Sequence, residues 1–218
     1  MLWNMLNDPL ALVCRLVAVI VALSFHEWGH AFAAYRLGDS TAKDAGRMSI
    51  DPFRHLDPLG FLSMMLVGFG WAKPVPVNPN RLKHGRWGEL IVSIAGVAMN
   101  FLLAFVATLA WVALVAFGGS VTAAGVLQEF LLAFLSINLG LLVFNLIPIP
   151  PLDGYRVLKS LLLGKVNNLN LFWTMERYGS IVLMILVVFN VLTPVLNWGV
   201  NGILNFMLNT SLHLFGLA

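Results

Sequence analysis

Long apolar runs alternate with short polar connections along this chain, and the runs set the first expectation of its fold. Three of them, over about Leu10–Tyr35, Leu90–Phe117 and Val126–Ile147, are as long as the roughly 20 residues that a helix needs to cross hydrocarbon. A fourth starts near Tyr178 and meets Pro194, where the missing N–H group should kink or end a helix. The pattern therefore predicts a bundle of transmembrane helices.

Two shorter segments between the first and second runs do not fit a crossing helix. Leu59–Gly70 is apolar but only about half the length that spans hydrocarbon, which predicts a re-entrant or interfacial segment. Trp71–Pro79 carries too many prolines for a helix, and its alternation favours an extended edge strand or a hairpin. Such backbone is tolerated at membrane depth only against protein or a wet cavity.

The C-terminal tail is apolar yet carries asparagines at intervals of four residues. A helix would align them in one polar stripe that faces a cavity, a partner or the membrane interface, and the sequence does not choose among these. Nor does the sequence decide whether the tail spans the bilayer. The stripe consists of Asn197, Asn201, Asn205 and Asn209.

The overall composition also indicates a membrane protein, whatever the assignment of any single segment. Hydrophobic residues make up 59% and charged residues 11% of the 218 residues, whereas about a quarter of the residues of a soluble domain are charged. We expect an all-α polytopic membrane protein with about four to six transmembrane helices. A single domain should cover residues 1–218, with a core at about 10–165 and C-terminal helices at 178–218. Cys14 is the only cysteine, so no intrachain disulfide can form.

The basic residues predict how the spans are oriented. Eight Lys and Arg residues fall between Arg36 and Arg86 and four between Arg156 and Arg177, whereas the connection between the second and third spans has none. By the positive-inside rule, both basic connections are cytoplasmic and the N-terminus is outside. Topology thus explains the net charge of +3, and no nucleic-acid partner is expected.

Three ionisable residues lie close together inside the first apolar run: His26, Glu27 and His30. The two histidines are four residues apart, so a helix stacks their imidazoles on one face, where they can hold one metal ion and leave Glu27 to act as a general base. The alternative is a pair of histidines hydrogen-bonded inside the bundle. Because polar side chains are penalised in hydrocarbon, three of them so close together favour the metal site.

Asp153 is the candidate for a third ligand. Catalytic zinc usually takes three protein ligands and keeps one position open. Apart from Glu27, Asp153 is the only acidic residue near the cytoplasmic end of a span, the end toward which His26 and His30 also lie. Spacing alone leaves a second explanation open, because Asp153-Gly154 is also a turn signal and Asp caps helices well. A short basic amphipathic helix should follow this turn.

Several motifs of the chain occur together in one known family. His26-Glu27-xx-His30 lies in a first span, and Asn145–Gly154 (NLIPIPPLDG) closes a later one. In this pairing the chain resembles the site-2 protease family of intramembrane zinc metalloproteases. Two further stretches, Trp71–Pro79 and Ser93–Asn100, also resemble this family. Two others, Gly38–Lys43 and His55–Pro58, resemble its small bacterial and archaeal subgroup, which lacks PDZ and CBS domains.

This resemblance implies both a site and an activity. It implies one zinc ion per chain, with ligands His26, His30 and Asp153, and Glu27 as the acid–base group. Asn145 would help to position the substrate or the oxyanion, and the Trp71–Pro79 segment would form a strand near the site that pairs with substrate. The implied protein is an intramembrane zinc metalloendopeptidase that hydrolyses peptide bonds within or near transmembrane segments of membrane proteins or remnant signal peptides.

The resemblance also implies a location. We expect a multi-pass protein in the lipid bilayer of a prokaryotic cytoplasmic membrane, with its active site toward the cytoplasmic side. The sequence gives no oligomeric state, and a homo-oligomer is compatible with it.

Two other functions could use the same residues. A membrane zinc or proton transporter could use the His, Glu and Asp side chains as its pathway, but transporters usually show internal repeats and this sequence has none. A catalytically silent relative could bind and hold membrane helices, although the intact Glu27 argues against it. A Glu27→Gln variant would separate these functions.

Two asparagines inside the spans, Asn100 and Asn138, need buried partners. Hydrogen bonds that hold the bundle together are the default interpretation for both, and support of the metal ligands is the alternative for Asn100. We expect His55, His84 and His213 to be solvated, locally hydrogen-bonded or interfacial rather than metal ligands.

Overall fold

Helices account for nearly all the regular structure of the chain, which a computed structural model describes over residues 8–67, 70–117, 121–163 and 169–217. No sheet forms within these residues, and an isolated β-bridge pairs Leu56 with Ala72. The helices are α1 (Pro9–Arg36), α2 (Thr41–Asp44), α3 (Pro58–Val67), α4 (Arg86–Phe117), α5 (Val121–Asn145), α6 (Asp153–Leu162), α7 (Leu169–Val188) and α8 (Thr193–Leu214), with 3₁₀ turns at Pro52–Arg54 and Pro79–Arg81.

Four helices of the described chain are long and apolar enough to cross a membrane: α1, α4, α5 from Gly125, and α7 from Asn170. This result confirms the predicted all-α polytopic membrane fold. The first three predicted spans correspond to α1, α4 and α5. The predicted re-entrant segment is the ten-residue helix α3, and the expected amphipathic helix after the third span is α6.

The predicted fourth span has different boundaries in the structure. α7 begins at Leu169 rather than near Tyr178, and it ends at Val188, so that Pro194 does not interrupt it. Pro194 lies instead in the first turn of α8, where a proline is well tolerated because its missing N–H would have no helical partner.

The earlier start of α7 is possible because its two adjacent charges have partners. The ammonium of Lys159 donates to the Glu176 carboxylate at 2.5 Å, and the Arg177 guanidinium lies 5.8 Å from the centre of the Trp173 ring. Partnered charges at a helix end cost far less than isolated ones. The helix therefore extends through residues that, taken alone, favour a connection.

Small side chains let α1 pack closely against its neighbours. Ala18 and Ala22 are completely buried on one side of the helix, and Ala31 is completely buried on the opposite side. At Gly29 the approach is closer still, because an added β-carbon would lie 2.7 Å from the Met99 side chain and 2.9 Å from the Ala95 carbonyl oxygen. Small residues at such contacts allow helix backbones to approach one another in membranes. The histidine-bearing turn of α1 thereby lies directly against α4.

The C-terminal helix α8 runs beside α4 in the same direction. Its successive contacts follow the order of the α4 residues. The contacts are Val200 with the buried cluster around Val97, Met207 with Thr108 (3.9 Å from sulfur to Oγ1), and Phe215 with Phe117 (5.9 Å between ring centres).

The proline-containing segment before α4 is extended but forms neither a hairpin nor a strand ladder in the described chain. Its only bridge pairs Ala72 with Leu56, beside a hydrogen bond from the Lys73 N–H to the His55 carbonyl at 2.8 Å. The predicted hairpin was therefore wrong, because prolines within the segment remove donors that a ladder would need. Side chains hold the segment instead, as when Asp39 accepts the Asn78 N–H at 2.7 Å.

Candidate metal centre

Three ligand atoms converge where α1 meets the start of α6. Nε2 of His26 and Nε2 of His30 lie 3.0 Å apart, and each lies 3.2 Å from Oδ2 of Asp153. All three side chains are buried, with relative exposures of 5–6%. The structure thus brings together the three candidate ligands, although Asp153 is 127 residues from His26 and 123 residues from His30 in the sequence. 

The local sequence explains how each ligand reaches this point. His26 and His30 are one turn apart on α1, and Asp153 is the first residue of α6, directly after the proline-rich turn that ends α5. Gly154 lets α6 fold back on that turn, because a β-carbon there would collide with the Leu146 carbonyl. Gly96 of α4 does the same for the imidazoles, because its β-carbon would collide with Nε2 of His30.

These residues fit a zinc ion in both geometry and chemistry. Nδ1 of His30 donates to the Val92 carbonyl oxygen at 2.8 Å, so the neutral ring presents the Nε2 lone pair to the other ligands. Oδ2 of Asp153 is buried and has no hydrogen-bond donor within the described chain. Lone pairs that face one another without a hydrogen between them repel unless a cation lies among them. The ligand atoms of a tetrahedral zinc ion lie about 3.3 Å from one another, close to the distances seen here.

Glu27 lies beside the three ligands and shares a cavity with them. Oε2 of Glu27 accepts a hydrogen bond from the Val75 N–H at 2.9 Å, so the extended segment holds this carboxylate in place. The cavity has a volume of about 100 Å³ and is bordered by all three ligands. It can therefore admit a water molecule or one peptide group next to both the ligands and the carboxylate.

Asn145 also borders this cavity, from the last residue of α5. Its Nδ2 donates to the Leu141 carbonyl oxygen at 3.0 Å, which uses one of the two amide hydrogens and leaves the other available. The position is compatible with the predicted contact to substrate, and the role itself stays a prediction.

Sequence reasoning missed three groups that border or support the site: the Val75 N–H, the Val92 carbonyl and the Arg156 side chain. Backbone groups carry no sequence signal. Arg156, however, lies three residues after Asp153 on α6, so helical periodicity places it on the same face. Arg156 borders both the small cavity and a larger one of about 380 Å³ toward α7, and it has no ion-pair partner in the described chain.

The remaining histidines lie elsewhere. His55 is buried, and its Nε2 lies 2.6 Å from the Ser49 carbonyl oxygen, a local hydrogen bond. His84 and His213 are exposed. None of the three belongs to the cluster of His26, His30 and Asp153, whose ligand atoms lie within 4.8 Å of one another.

Comparison of the sequence with known proteins shows to which family the chain belongs. Over residues 110–193 the chain matches the model of peptidase family M50. A Bacillus subtilis protein named "Putative zinc metalloprotease YwhC" is 41% identical over 203 residues, which are 90% of this chain and 92% of that protein. The chain belongs to peptidase family M50, the site-2 protease family. The resemblance seen in the sequence is thereby confirmed.

Two mycobacterial relatives match this chain over less of their own length. Two proteins named "Putative zinc metalloprotease Rip2" are similar to this chain. The one from Mycobacterium tuberculosis is 37% identical over 70% of this chain and 60% of its own length. The one from Mycolicibacterium smegmatis is 30% identical over 87% of this chain and 72% of its own length. No solved structure matches the chain.

Family membership, the names of these relatives and the cluster of His26, His30 and Asp153 together support a zinc metalloprotease. The apolar helices support an integral membrane protein.

Proposed function

We propose that this M50 protein is an intramembrane zinc endopeptidase that cleaves peptide bonds within or near transmembrane segments, including remnant signal peptides. The observation that carries the proposal is the small cavity shared by Glu27 and the three ligands His26, His30 and Asp153. This cavity lies among helices long and apolar enough to span a membrane. We infer one zinc ion per chain, since one group of ligands surrounds one cavity.

The chain's own residues can carry out the proton transfers of peptide hydrolysis. When bound, zinc would lower the pKa of a ligated water toward neutrality and polarise the scissile carbonyl. The Glu27 carboxylate would take the proton of the attacking water and return it to the leaving amine. The Val75 N–H orients that carboxylate by donating to Oε2. The free hydrogen on Nδ2 of Asn145 would be donated to the developing oxyanion.

Substrate would bind along the extended segment in an unwound form. Val77 borders both cavities, and neither its N–H nor its carbonyl has a hydrogen-bond partner in the described chain. A helical peptide bond is shielded by its own hydrogen bonds, so it must unwind before attack. Pairing with the free backbone groups of Val77 would compensate for the helical hydrogen bonds that are lost.

We further infer that the site opens toward the cytoplasm of a prokaryotic cell. The larger cavity beside the metal centre is bordered by Arg156 and Lys159, and the basic connections lie at the same end of the spans. Under the positive-inside rule that end is cytoplasmic, which leaves the N-terminus outside.

A Glu27→Gln variant tests the proposed function. Purified wild-type and variant proteins are analysed for bound zinc and for cleavage of a single-span membrane protein in detergent. We expect both proteins to bind zinc and only the wild-type protein to cleave, because the amide cannot accept the proton. Cleavage by Glu27→Gln would show that Glu27 is not the acid–base group. Zinc uptake into liposomes without any cleavage would point to the transporter alternative.

A further inference from the structure

A line of hydrogen bonds connects the metal centre to the middle of α5. Nδ1 of His26 lies 2.5 Å from Oδ1 of Asn100, and Nδ2 of Asn100 donates to Oδ1 of Asn138 at 2.9 Å. Nδ2 of Asn138 in turn donates to the Phe134 carbonyl oxygen at 2.8 Å. Asn100 and Asn138 are both completely buried, so no water competes for these groups.

This line has a fixed direction. The Phe134 carbonyl can only accept, so the NH₂ group of Asn138 must point toward it and the Asn138 oxygen must point toward Asn100. Asn100 therefore directs its own NH₂ group to Asn138 and its oxygen to His26. An oxygen beside Nδ1 requires that Nδ1 carry the hydrogen, which leaves the lone pair of His26 on Nε2, toward His30 and Asp153.

We propose that Asn100 and Asn138 are positioning residues that fix the tautomer and ring orientation of His26 for zinc. The inference rests on the zinc site of the proposed function but concerns residues that do not touch the ion. The Val92 carbonyl of α4 fixes the His30 ring directly by accepting from its Nδ1. The His26 ring is instead connected to a backbone carbonyl, that of Phe134 on α5, through the two asparagine amides.

The test measures zinc affinity by competition with a chelator, a readout that does not depend on peptide cleavage. Asn100→Leu removes the acceptor, so we expect roughly 10- to 100-fold weaker zinc binding, as is typical when a ligand histidine loses its outer partner. Asn100→Asp keeps an oxygen toward Nδ1 but cannot donate to Asn138, so its zinc affinity should lie between those of Asn100→Leu and the wild-type protein. Asn138→Leu keeps the Asn100 oxygen and should likewise fall between these two. Thr108→Val is the matched control, because Thr108 is equally buried on α4 and bonds only locally and to Met207.

A second measurement covers the case in which a leucine variant does not fold. In zinc-free wild-type protein labelled with ¹⁵N-histidine, the Nδ1 signal of His26, assigned by its loss in His26→Gln, should be that of a protonated nitrogen. Wild-type zinc affinity in Asn100→Leu, or an unprotonated Nδ1 in the wild-type protein, would overturn the proposal. Failure of the wild-type protein to bind zinc would instead overturn the proposed function.

The asparagine stripe of α8 carries a second, independent inference. All four of its side chains are exposed, and none has a hydrogen-bond partner in the described chain. Because α8 packs along α4, which is long and apolar enough to cross a membrane, we infer that this exposed face meets lipid, where an unpaired amide is costly. The stripe consists of Asn197, Asn201, Asn205 and Asn209.

We propose that this stripe binds the same stripe of a second copy of the chain. An amide side chain both donates and accepts, so one asparagine can satisfy another. Two copies in one membrane have the same orientation, which makes their α8 helices parallel and brings each asparagine to the depth of its own counterpart. Gly202, next to Asn201, has open space over its α-carbon, so a second helix can approach closely there.

Disulfide cross-linking in native membranes tests this interface. In a Cys14→Ala background, Asn201→Cys and Asn205→Cys should give a covalent dimer of the chain on mild oxidation. Phe206→Cys is the matched control, because Phe206 is 59% exposed on α8 but lies off the stripe. The variant with leucine at all four stripe positions should run at the mass of a monomer. Equal cross-linking at Phe206, cross-links to another protein only, or a dimer that survives the four leucines would overturn the proposal.

Discussion

The Val75 N–H donates a 2.9 Å hydrogen bond to the Glu27 carboxylate across 48 residues of sequence. The bond joins the helix that carries the histidines to the extended segment where we expect substrate to bind. Pro74 and Pro76 flank Val75 and have no N–H of their own, so this donor has no neighbour that could replace it. The orientation of the proposed base therefore depends on one backbone group.

Val75→Pro removes that donor and should impair cleavage while leaving zinc bound. A hydrogen bond to a charged group contributes about 1.5–3 kcal/mol, so we expect kcat to fall roughly 10- to 100-fold. The measurement is kcat for a membrane substrate together with the zinc content of the protein. Val75→Ala, which keeps the N–H, is the control and should retain most activity. Equal kcat in both variants would mean that Glu27 does not depend on this bond.

Asp153→Asn should weaken zinc binding and the stability that comes with it. A neutral amide is a poorer zinc ligand than a carboxylate, and a ligand present at 100 times its dissociation constant stabilises the folded state by about 2.7 kcal/mol. Addition of a chelator should therefore lower the unfolding temperature of the wild-type protein but not that of Asp153→Asn. The exposed Asp44→Asn variant should respond as the wild-type protein does. A chelator effect of equal size in Asp153→Asn would exclude Asp153 as a ligand.

Gly96→Ala should disrupt the metal centre from the facing helix. Its β-carbon would collide with the His30 imidazole, so either the ring or α4 must move. We expect a loss of bound zinc, measured by metal analysis of the purified protein. Gly140→Ala on α5 is the control, since nothing lies within 4 Å of its added β-carbon and alanine favours helix by about 1 kcal/mol. Full zinc content in Gly96→Ala would show that the centre tolerates this displacement.

Asp39 should make the protein sensitive to acid. Burial by itself would raise the pKa of Asp39, but hydrogen bonds from the Thr41 hydroxyl and from the Asn78 and Thr41 N–H groups outweigh it and lower the pKa below its ordinary 3.8. A lowered pKa in the folded state stabilises the fold above pH 3.8, and this contribution is lost as the pH falls through the lower folded value.

Asp39→Asn removes that linkage. Its unfolding temperature should lie below that of the wild-type protein near neutral pH, and the two should converge as the pH falls below 3.8 and through the lower folded pKa of Asp39. Thermal unfolding of both proteins across this range measures the effect. A constant difference at every pH would assign the loss to the hydrogen bonds themselves rather than to the charge of Asp39.

The spans and the pair of ligand histidines followed from the sequence because both depend on local periodicity. Apolar runs long enough to cross hydrocarbon predicted α1, α4 and α5, and four-residue spacing placed His26 and His30 on one helix face. The proline-rich turn before Asp153 was also predictable from the local sequence. Its spacing left two explanations open, however, because a turn aspartate and a metal ligand have the same local sequence.

Tertiary structure decided what depends on partners distant in the chain. It brought Asp153 within 3.2 Å of both imidazoles, and it supplied the charge partner that lets α7 extend through Glu176. It also linked Asn100 to His26, where sequence reasoning favoured a bond that merely holds the bundle. Hydropathy and helical period are properties of neighbouring residues, whereas the partner of a buried polar group is set by which helices pack together, and no local pattern encodes that choice.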